Sequence, residues 1–204
     1  MVVSKPAQKA APALNFVGGA SAIMTPAEIA VLCEMLRTAG GHKTLTKLPL
    51  SGGVTTDFWG AVQGKGRILT VVKHKTSGAV FGGYVEDTFT PRDYGDRWIP
   101  GSANNFIFRL DGAQPIKLLH NPGDARGVEL SSDHGLCMGG GTDLMVMHDT
   151  VGYGNCSPTS YTTCAPGYTI PIPLQKGTLA GLPSTATWPM WTAPDVAVEV
   201  YQCS

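Results

Sequence analysis

The sequence predicts an α+β fold dominated by β-strands, and three stretches carry that prediction. Residues 67–74 and 78–84 are both apolar and rich in β-branched side chains, and the polar break between them ends at Gly78. Because glycine accepts positive φ without steric cost, the two runs predict a β-hairpin. Gly82-Gly83 in the second run indicates a backbone that a neighbour approaches closely, or a β-bulge. The same glycine-interrupted strand pattern recurs at residues 135–146.

Length and charge exclude several classes of protein. The 204 residues fit one domain with a sizeable core. Fifteen basic and fifteen acidic residues give a formal net charge of zero, so no global field attracts nucleic acid or an anionic membrane. The charged fraction of 15% is below the roughly 25% of typical soluble domains, which indicates a surface that is covered in a complex. No apolar run reaches the roughly 18 residues of a membrane span, so membrane insertion is not expected.

The five cysteines do not form a disulfide framework. Cys33 lies in a helical pattern and Cys137 in a strand pattern, where cysteine behaves as a small apolar residue. Cys156 and Cys164 share a polar loop and could pair, but they lack the CxxC spacing of a zinc knuckle. The odd count favours a reduced, intracellular chain, in the cytoplasm or on the cytoplasmic face of an organelle, with a mitochondrial location left open.

The N-terminal segment differs in composition from the rest. Residues 1–22 are rich in Ala, Pro and Gly and predict a flexible arm. An alternative is an arm that orders against a partner, with Leu14 and Phe16 among its anchors. Residues 23–204 are then a single domain. Its first helix begins at Thr25-Pro26-Ala27-Glu28, which has an N-cap threonine, a proline at the first helical position and the glutamate of a capping box.

Further elements follow in order. The helix ends at Gly40-Gly41, and Leu48 and Leu50 alternate around Pro49, which would confine that strand to a sheet edge. Residues 54–62 predict a short second helix. Strands are predicted at residues 105–110 and 116–120, separated by the turn signal Asp111-Gly112.

Several of these stretches, in this order, resemble the TLDc domain, the module of eukaryotic oxidation-resistance proteins. The family's glycine-lysine-glycine strand, its Phe-Gly-Gly-Tyr strand and its Phe-Leu-Phe-x-Leu strand are similar to residues 64–73, 81–84 and 106–110. Its glycine-rich segment, its serine/threonine loop and its closing strand are similar to residues 138–144, 155–161 and 198–201. The resemblance covers roughly residues 24–203.

The resemblance implies a two-sheet antiparallel β-sandwich with a few flanking helices, of class α+β but β-dominated. It implies a binding protein, because TLDc proteins are associated with resistance to oxidative stress and with binding the vacuolar proton pump, whose assembly they regulate. The family has no firmly established catalytic residues, so none is carried over. The motif positions given a structural role are Phe81, Gly82, Gly83, Tyr84, Gly139, Gly140, Gly141 and Asp143.

One stretch is longer than the corresponding family loop. Residues 151–194 carry a single formal charge, Lys176, and end near Trp188 and Trp191. A long uncharged loop is usually functional or partner-bound, and tryptophans are favoured interface anchors. Trp98, in an earlier polar loop, is a third candidate anchor. The alternative for Trp188 and Trp191 is that they close the bottom of the sandwich core.

Catalytic and metal sites are weighed against polar turns. Ser131-Ser132-Asp133-His134 has the residue types of a hydrolase triad, but triads assemble from separate segments. Cys156 lacks nearby cations to activate its thiol. Residues 60–66 superficially resemble a phosphate loop without its Ser/Thr, so no cofactor is expected. A polar turn whose groups are satisfied is favoured over a metal site in this region. The residues that could in principle gather around a metal are His134, Asp143, His148 and Asp149.

Three functions remain open from the sequence. The first is a non-catalytic module that regulates or adapts a large complex, with the vacuolar proton pump as the candidate. The second is a structural accessory subunit of another assembly, in which the arm and the long loop fill gaps between neighbours. The third is a hydrolase or a peroxide-consuming enzyme, whose turnover would depend on His134 or Cys156.

Overall fold

The structure is a computed structural model that describes residues 13–50, 58–90, 97–110, 115–120, 127–131, 135–139, 144–146, 150–154, 168–169, 191–192 and 195–204. In these ranges it contains two helices, α1 (Pro26–Thr38) and α2 (Phe58–Val62), and fourteen strands. The strands are β1 (Asn15–Val17), β2 (Thr44–Lys47), β3 (Ile68–His74), β4 (Val80–Val85), β5 (Arg97–Ile99), β6 (Phe106–Arg109), β7 (Ile116–His120), β8 (Val128–Ser131), β9 (Gly135–Met138), β10 (Leu144–Val146), β11 (Thr150–Gly154), β12 (Tyr168–Thr169), β13 (Trp191–Thr192) and β14 (Val196–Cys203).

The strands form two sheets. The larger has the order β1-β2-β14-β3-β4-β6-β7-β12, and the smaller has the order β13-β11-β10-β9-β8-β5. Every neighbouring pair is antiparallel except β1 and β2, which run parallel. The β-dominated two-sheet fold is therefore confirmed, with one parallel pair that the sequence did not predict.

The large sheet is buried on both faces. One face packs on the small sheet, and the shared core includes Val72 and Phe81 from one sheet and Leu136, Met138 and Leu144 from the other. The opposite face packs under α1, whose buried side chains are Leu32, Cys33, Met35 and Leu36. The molecule therefore has three layers, and β3, β4 and β14 lie in the middle one.

The predicted hairpin is β3–β4. Its turn closes where the Gly78 amide donates to the His74 carbonyl (2.8 Å), and Gly78 has a φ of 75°. The pairing of β4 with β3 and β6 is regular, so the glycines do not form a bulge. A Cβ on Gly82 would lie 1.9 Å from the Thr70 carbonyl oxygen, and one on Gly83 would lie 2.2 Å from Met138 Sδ. The glycines allow close approach, which was one of the two predictions.

The second glycine-rich stretch is not one interrupted strand. Gly135–Met138 and Leu144–Val146 form two antiparallel strands, β9 and β10, in which Met138 pairs with Leu144. Gly139 follows β9 with a φ of 83°, a conformation that favours glycine. The prediction of a single strand was wrong because the glycines stand in the connection between two strands.

The first helix forms as predicted. The Thr25 hydroxyl accepts from the Glu28 amide (3.3 Å), and the Glu28 carboxylate accepts from the Thr25 amide (2.6 Å), so both halves of the capping box are present. The helix ends before Gly40 and Gly41, and the Gly41 amide donates to the Leu36 carbonyl (3.2 Å). The second helix, α2, lies within its predicted range, and residues 51–57 lie outside the described residues.

The strand predicted around Pro49 lies earlier in the chain and inside the sheet. β2 ends at Lys47 and lies between β1 and β14. Its Leu45 is fully buried under α1, and the Leu48 amide donates to the Val200 carbonyl (2.8 Å). The edge position inferred from Pro49 was wrong because the proline follows the strand and interrupts none of its pairing.

The expectation of a flexible arm through residue 22 is wrong for residues 13–22. β1 pairs with β2, and Leu14 is 8% exposed in the core under α1. Phe16 packs edge-on against Tyr201, with ring centroids 5.8 Å apart. These residues belong to the fold, whereas residues 1–12 lie outside the described residues.

Candidate functional site

A buried carboxylate on the last strand binds the segment that precedes α1. Glu199 lies on β14, is 4% exposed, and accepts hydrogen bonds from Ser21 Oγ (2.5 Å), the Ala22 amide (3.0 Å), Lys47 Nζ (2.6 Å) and Tyr201 Oη (2.6 Å). We call these five residues the Glu199 cluster. The sheet builds it, because β14 pairs with β2 and brings Lys47 opposite Tyr201.

The donors keep this carboxylate charged. Burial alone would raise the pKa of Glu199, but the hydrogen bonds from Lys47, Ser21, Tyr201 and Ala22 together lower it below its ordinary value. Burial, and then the bond to Glu199, raises the pKa of Tyr201, so its phenol remains a donor. The Glu199 cluster is thus a satisfied ion pair whose Lys47 side chain keeps 32% exposure.

A groove of about 570 Å³ lies beside the cluster. It is lined by residues 47–50, at the end of β2 and after it, by residues 196–200 of β14, and by Gly18 and Lys75. The lining side chains are aliphatic apart from Lys47, Lys75 and Glu199. Among the described residues that line the groove, these aliphatic side chains suit the binding of an apolar segment.

A second buried polar pair lies under α1. His42 Nε2 and Tyr84 Oη are 2.6 Å apart, and the Tyr84 ring stacks on Phe106. Burial, with nearby Arg67, lowers the pKa of His42, and burial raises the pKa of Tyr84. Both groups are therefore neutral at pH 7, and the pair fixes the Phe-Gly-Gly-Tyr strand to the chain after α1.

Two acidic residues organise the entry into β6. The Glu86 carboxylate accepts from Ser102 Oγ and from Asn104 Nδ2 (3.0 Å), while the Asp87 carboxylate accepts from the Ser102 amide (2.9 Å) and Asn105 Nδ2 (2.8 Å). The side-chain oxygen of Asn105 also accepts a hydrogen bond from the Glu86 amide (2.8 Å). Because every one of these contacts joins the chain after β4 to the residues just before β6, we assign the cluster to positioning β6.

The described family-motif residues lie on β4, in the middle layer, and at the end of β9, in the small sheet. Phe81, Gly82, Gly83 and Tyr84 form the buried centre of β4, and Gly139 begins the connection after β9. Gly140, Gly141 and Asp143 lie outside the described residues.

The predicted partner-binding residues are not brought together. Leu14 and Phe16 pack into the chain itself, so as placed here they are core side chains and not exposed anchors. Trp98 lies partly exposed on β5, at the edge of the small sheet. The backbone of Trp191 is in β13, opposite Val151, and Trp188 lies outside the described residues.

The catalytic and metal candidates fall in undescribed stretches. Ser131 ends β8, whereas Ser132, Asp133 and His134 lie beyond the described residues. The same holds for Asp143, His148, Asp149, Cys156 and Cys164. Within the ranges that the structure describes, no three His, Cys, Asp or Glu residues gather as metal ligands, and no helix is long and apolar enough to cross a membrane.

The thiols that are described lie in the interior. Cys33, Cys137 and Cys203 are all buried, and burial raises the pKa of Cys203 to about 12. The strand and helix positions predicted for Cys137 and Cys33 are confirmed. A protonated, buried thiol is a poor nucleophile, so Cys203 acts as a packing residue.

The Glu199 cluster was missed by sequence reasoning, although a signal was present. Val196–Cys203 is an apolar strand with one acidic residue at its centre. A glutamate is almost never fully buried unless it is paired, so its place in a central strand indicates donors elsewhere in the fold. Two of those donors, Ser21 and Ala22, come from the segment that had been assigned to a flexible arm, and Lys47 comes from β2.

Comparison with known proteins gives one positive result. A search of curated proteins found no match. The sequence model of the TLDc domain matches residues 17–178, which begins in β1 and ends before β13 and β14. The match spans most of the 204 residues and agrees with the two-sheet architecture. The chain belongs to the TLDc domain family.

Proposed function

We propose that this protein is a non-catalytic binding module that regulates or adapts a large complex, with the vacuolar proton pump as the candidate, in resistance to oxidative stress. Membership of the TLDc family carries the proposal, since proteins of this family are associated with that pump and that resistance. The aliphatic lining of the groove at β14 supports binding over chemistry at that place.

Trp98 is the side chain that we propose for the contact with the partner. Its neighbour Ile99 packs on the core between the sheets, and successive residues of a strand point to opposite faces. Trp98 therefore faces away from that core, at the edge strand of the small sheet. A partly exposed tryptophan supplies large apolar area at small entropic cost, which favours it as an anchor. Trp188 and Trp191 remain proposed anchors as well, with the backbone of Trp191 in β13 at the opposite edge of the small sheet.

The test is affinity purification of the native protein under mild conditions, with mass spectrometry of what is retained. We expect proton-pump subunits with the wild-type chain and a loss of about tenfold or more with Trp98→Ala. Leu119→Ala is the matched control, because Leu119 is 47% exposed on a strand of the other sheet. Retention of the same proteins by both variants would remove Trp98 from the interface, and retention of none by the wild type would contradict the binding function.

A structural accessory subunit is the second candidate. The charged fraction of 15% favours it, because a weakly charged surface suits permanent cover by neighbours. An equimolar complex that survives high salt would support this role, whereas substoichiometric, salt-sensitive retention would support a regulator.

A further inference from the structure

β1 is attached to the domain less firmly than the other strands around it. It has three residues, lies at the edge of the large sheet and pairs only with β2 among the described strands. Asn15 and Val17 are exposed, Val17 to 45%. Its inward contacts are made by Leu14 and Phe16, and the Asn15 amide anchors its backbone by donating to the Lys43 carbonyl (2.8 Å).

A hinge follows β1 directly. Gly18 and Gly19 have φ values of 87° and 111°, both in the region that favours glycine, and they are exposed together with Ala20. Beyond the hinge, Ser21 and Ala22 are bound to Glu199, and Ser21 Oγ also accepts from the Met24 amide (3.0 Å). The residues after the two glycines are therefore fixed by their bonds to Glu199. β1, before the glycines, is held mainly by the side chains of Leu14 and Phe16.

The balance of terms makes local opening accessible. Ordering five residues costs conformational entropy at least as large as the gain from burying one leucine and half of a phenylalanine. Hydrogen bonds at a sheet edge exchange readily with water, so they add little net stability. The Glu199 cluster remains closed while β1 leaves, because Ser21 and Ala22 lie beyond the hinge.

We infer that β1 is a detachable edge strand, and that the site it leaves receives an extended segment of another protein. When β1 detaches, the edge of β2 and the apolar surface of Leu45, Tyr201 and Cys203 become exposed. The present occupant displays the chemistry of the incoming segment: apolar side chains two residues apart on a strand parallel to β2. The inference that β1 opens rests only on its contacts and geometry in this structure. The identity of the incoming segment rests on the proposed binding function.

Hydrogen exchange on the full chain tests the opening. We expect the amides of β1 to exchange about 100-fold faster than those of β3 and β14, and Leu14→Asp to raise their rate about tenfold further. Leu119→Asp makes the same chemical change at an exposed strand position and should leave β1 unchanged. Exchange of β1 in step with β14 in the wild-type chain would overturn the inference, whatever the variants do.

Peptide binding tests the vacated site. A fluorescent peptide with the sequence of residues 13–19 should bind the full-length Leu14→Asp chain at least about tenfold more tightly than wild type. A peptide with aspartate at both apolar positions should bind neither. Equal binding to the two chains, or none to the variant, would overturn the receptor assignment. A dimer formed by the wild-type chain through β1 would assign the site to a second copy and overturn the choice of another protein.

Discussion

Glu199 carries a negative charge into the interior of the sheet, and its four donors decide what that charge does to stability. Lys47 neutralises it, and Ser21, Ala22 and Tyr201 occupy the remaining lone pairs. A buried ion pair stabilises only when its geometry and its additional hydrogen bonds offset desolvation. Here the lowered pKa of Glu199 indicates that they do.

The cluster predicts a specific dependence on pH. Because the pKa of Glu199 in the folded chain lies below the unfolded value of about 4.3, the unfolded chain binds more protons than the folded chain in acidic solution. Stability from the cluster is complete above that value and is lost as pH falls through the folded pKa. Glu199→Gln should lower the free energy of unfolding at pH 7 by about 2 kcal/mol and flatten its decline between about pH 5 and about pH 3.

Urea unfolding at several pH values measures this effect. Glu34→Gln is the control, because the Glu34–Arg37 pair is exposed on α1 and should contribute far less. The lowered pKa values of His42 and His74 add a decline that begins at higher pH, near their ordinary range, in every variant. A wild-type slope in Glu199→Gln below pH 5 would contradict the proposed role of the cluster.

Gly82 and Gly83 give a prediction of rank order. A Cβ on Gly82 would meet the Thr70 backbone oxygen, which cannot move without breaking the sheet. A Cβ on Gly83 would meet the end of the Met138 side chain, which can shift. We therefore expect Gly83→Ala to cost about 1–3 kcal/mol and Gly82→Ala to cost more. Chemical denaturation checks the order, and an equal or reversed order would contradict the packing described for β4.

Among the elements, α1 was predictable because its signals are local. Thr25, Pro26 and Glu28 stand within four residues and form the capping box without help from distant chain. We expect Thr25→Ala to lower the free energy of unfolding by about 1 kcal/mol, measured by thermal or urea unfolding. Thr76→Ala, at an exposed turn position, is the matched control. An equal loss in both variants would show that the cap is not what stabilises the helix.

The strands divide into those that were predictable and those that were not. The β3–β4 hairpin was predicted because its partners are adjacent and Gly78 marks the turn. β1 and the position of β2 were missed because their pairing depends on β14, near the other end of the chain. Ser21 and Glu199 are 178 residues apart, so no local pattern could join them.

Core residues were more predictable than the site. Many apolar residues of the stretches predicted as strands are buried, among them Ile68, Val71, Val80, Phe81, Phe106, Phe108, Leu136, Leu144 and Val200. Val198 is partly buried, and the side chains of Leu118 and Val146 lie outside the described ones. Apolar periodicity reports burial directly, whereas partner contacts depend on which side chains remain at the surface of the finished fold.

The whole molecule is a three-layer domain in which the segment before α1 is tied to the last strand. The Glu199 cluster ties the segment before α1 to the last strand, and the Ser204 amide donates to the Thr44 carbonyl (3.0 Å). These contacts connect the last strand of the central layer to the segment before α1 and to β2. Edge strands β1 and β5 remain at the periphery, and the two proposed contacts with other proteins lie there.

The most direct measurement is the affinity of the purified protein for the purified, detergent-solubilised vacuolar proton pump, by biolayer interferometry. We expect saturable binding by the wild-type chain, at least about tenfold weaker binding by Trp98→Ala, and unchanged binding by Leu119→Ala. Equal unfolding midpoints of the three chains would assign the difference to the interface. No binding by a folded wild-type chain would contradict the pump as partner.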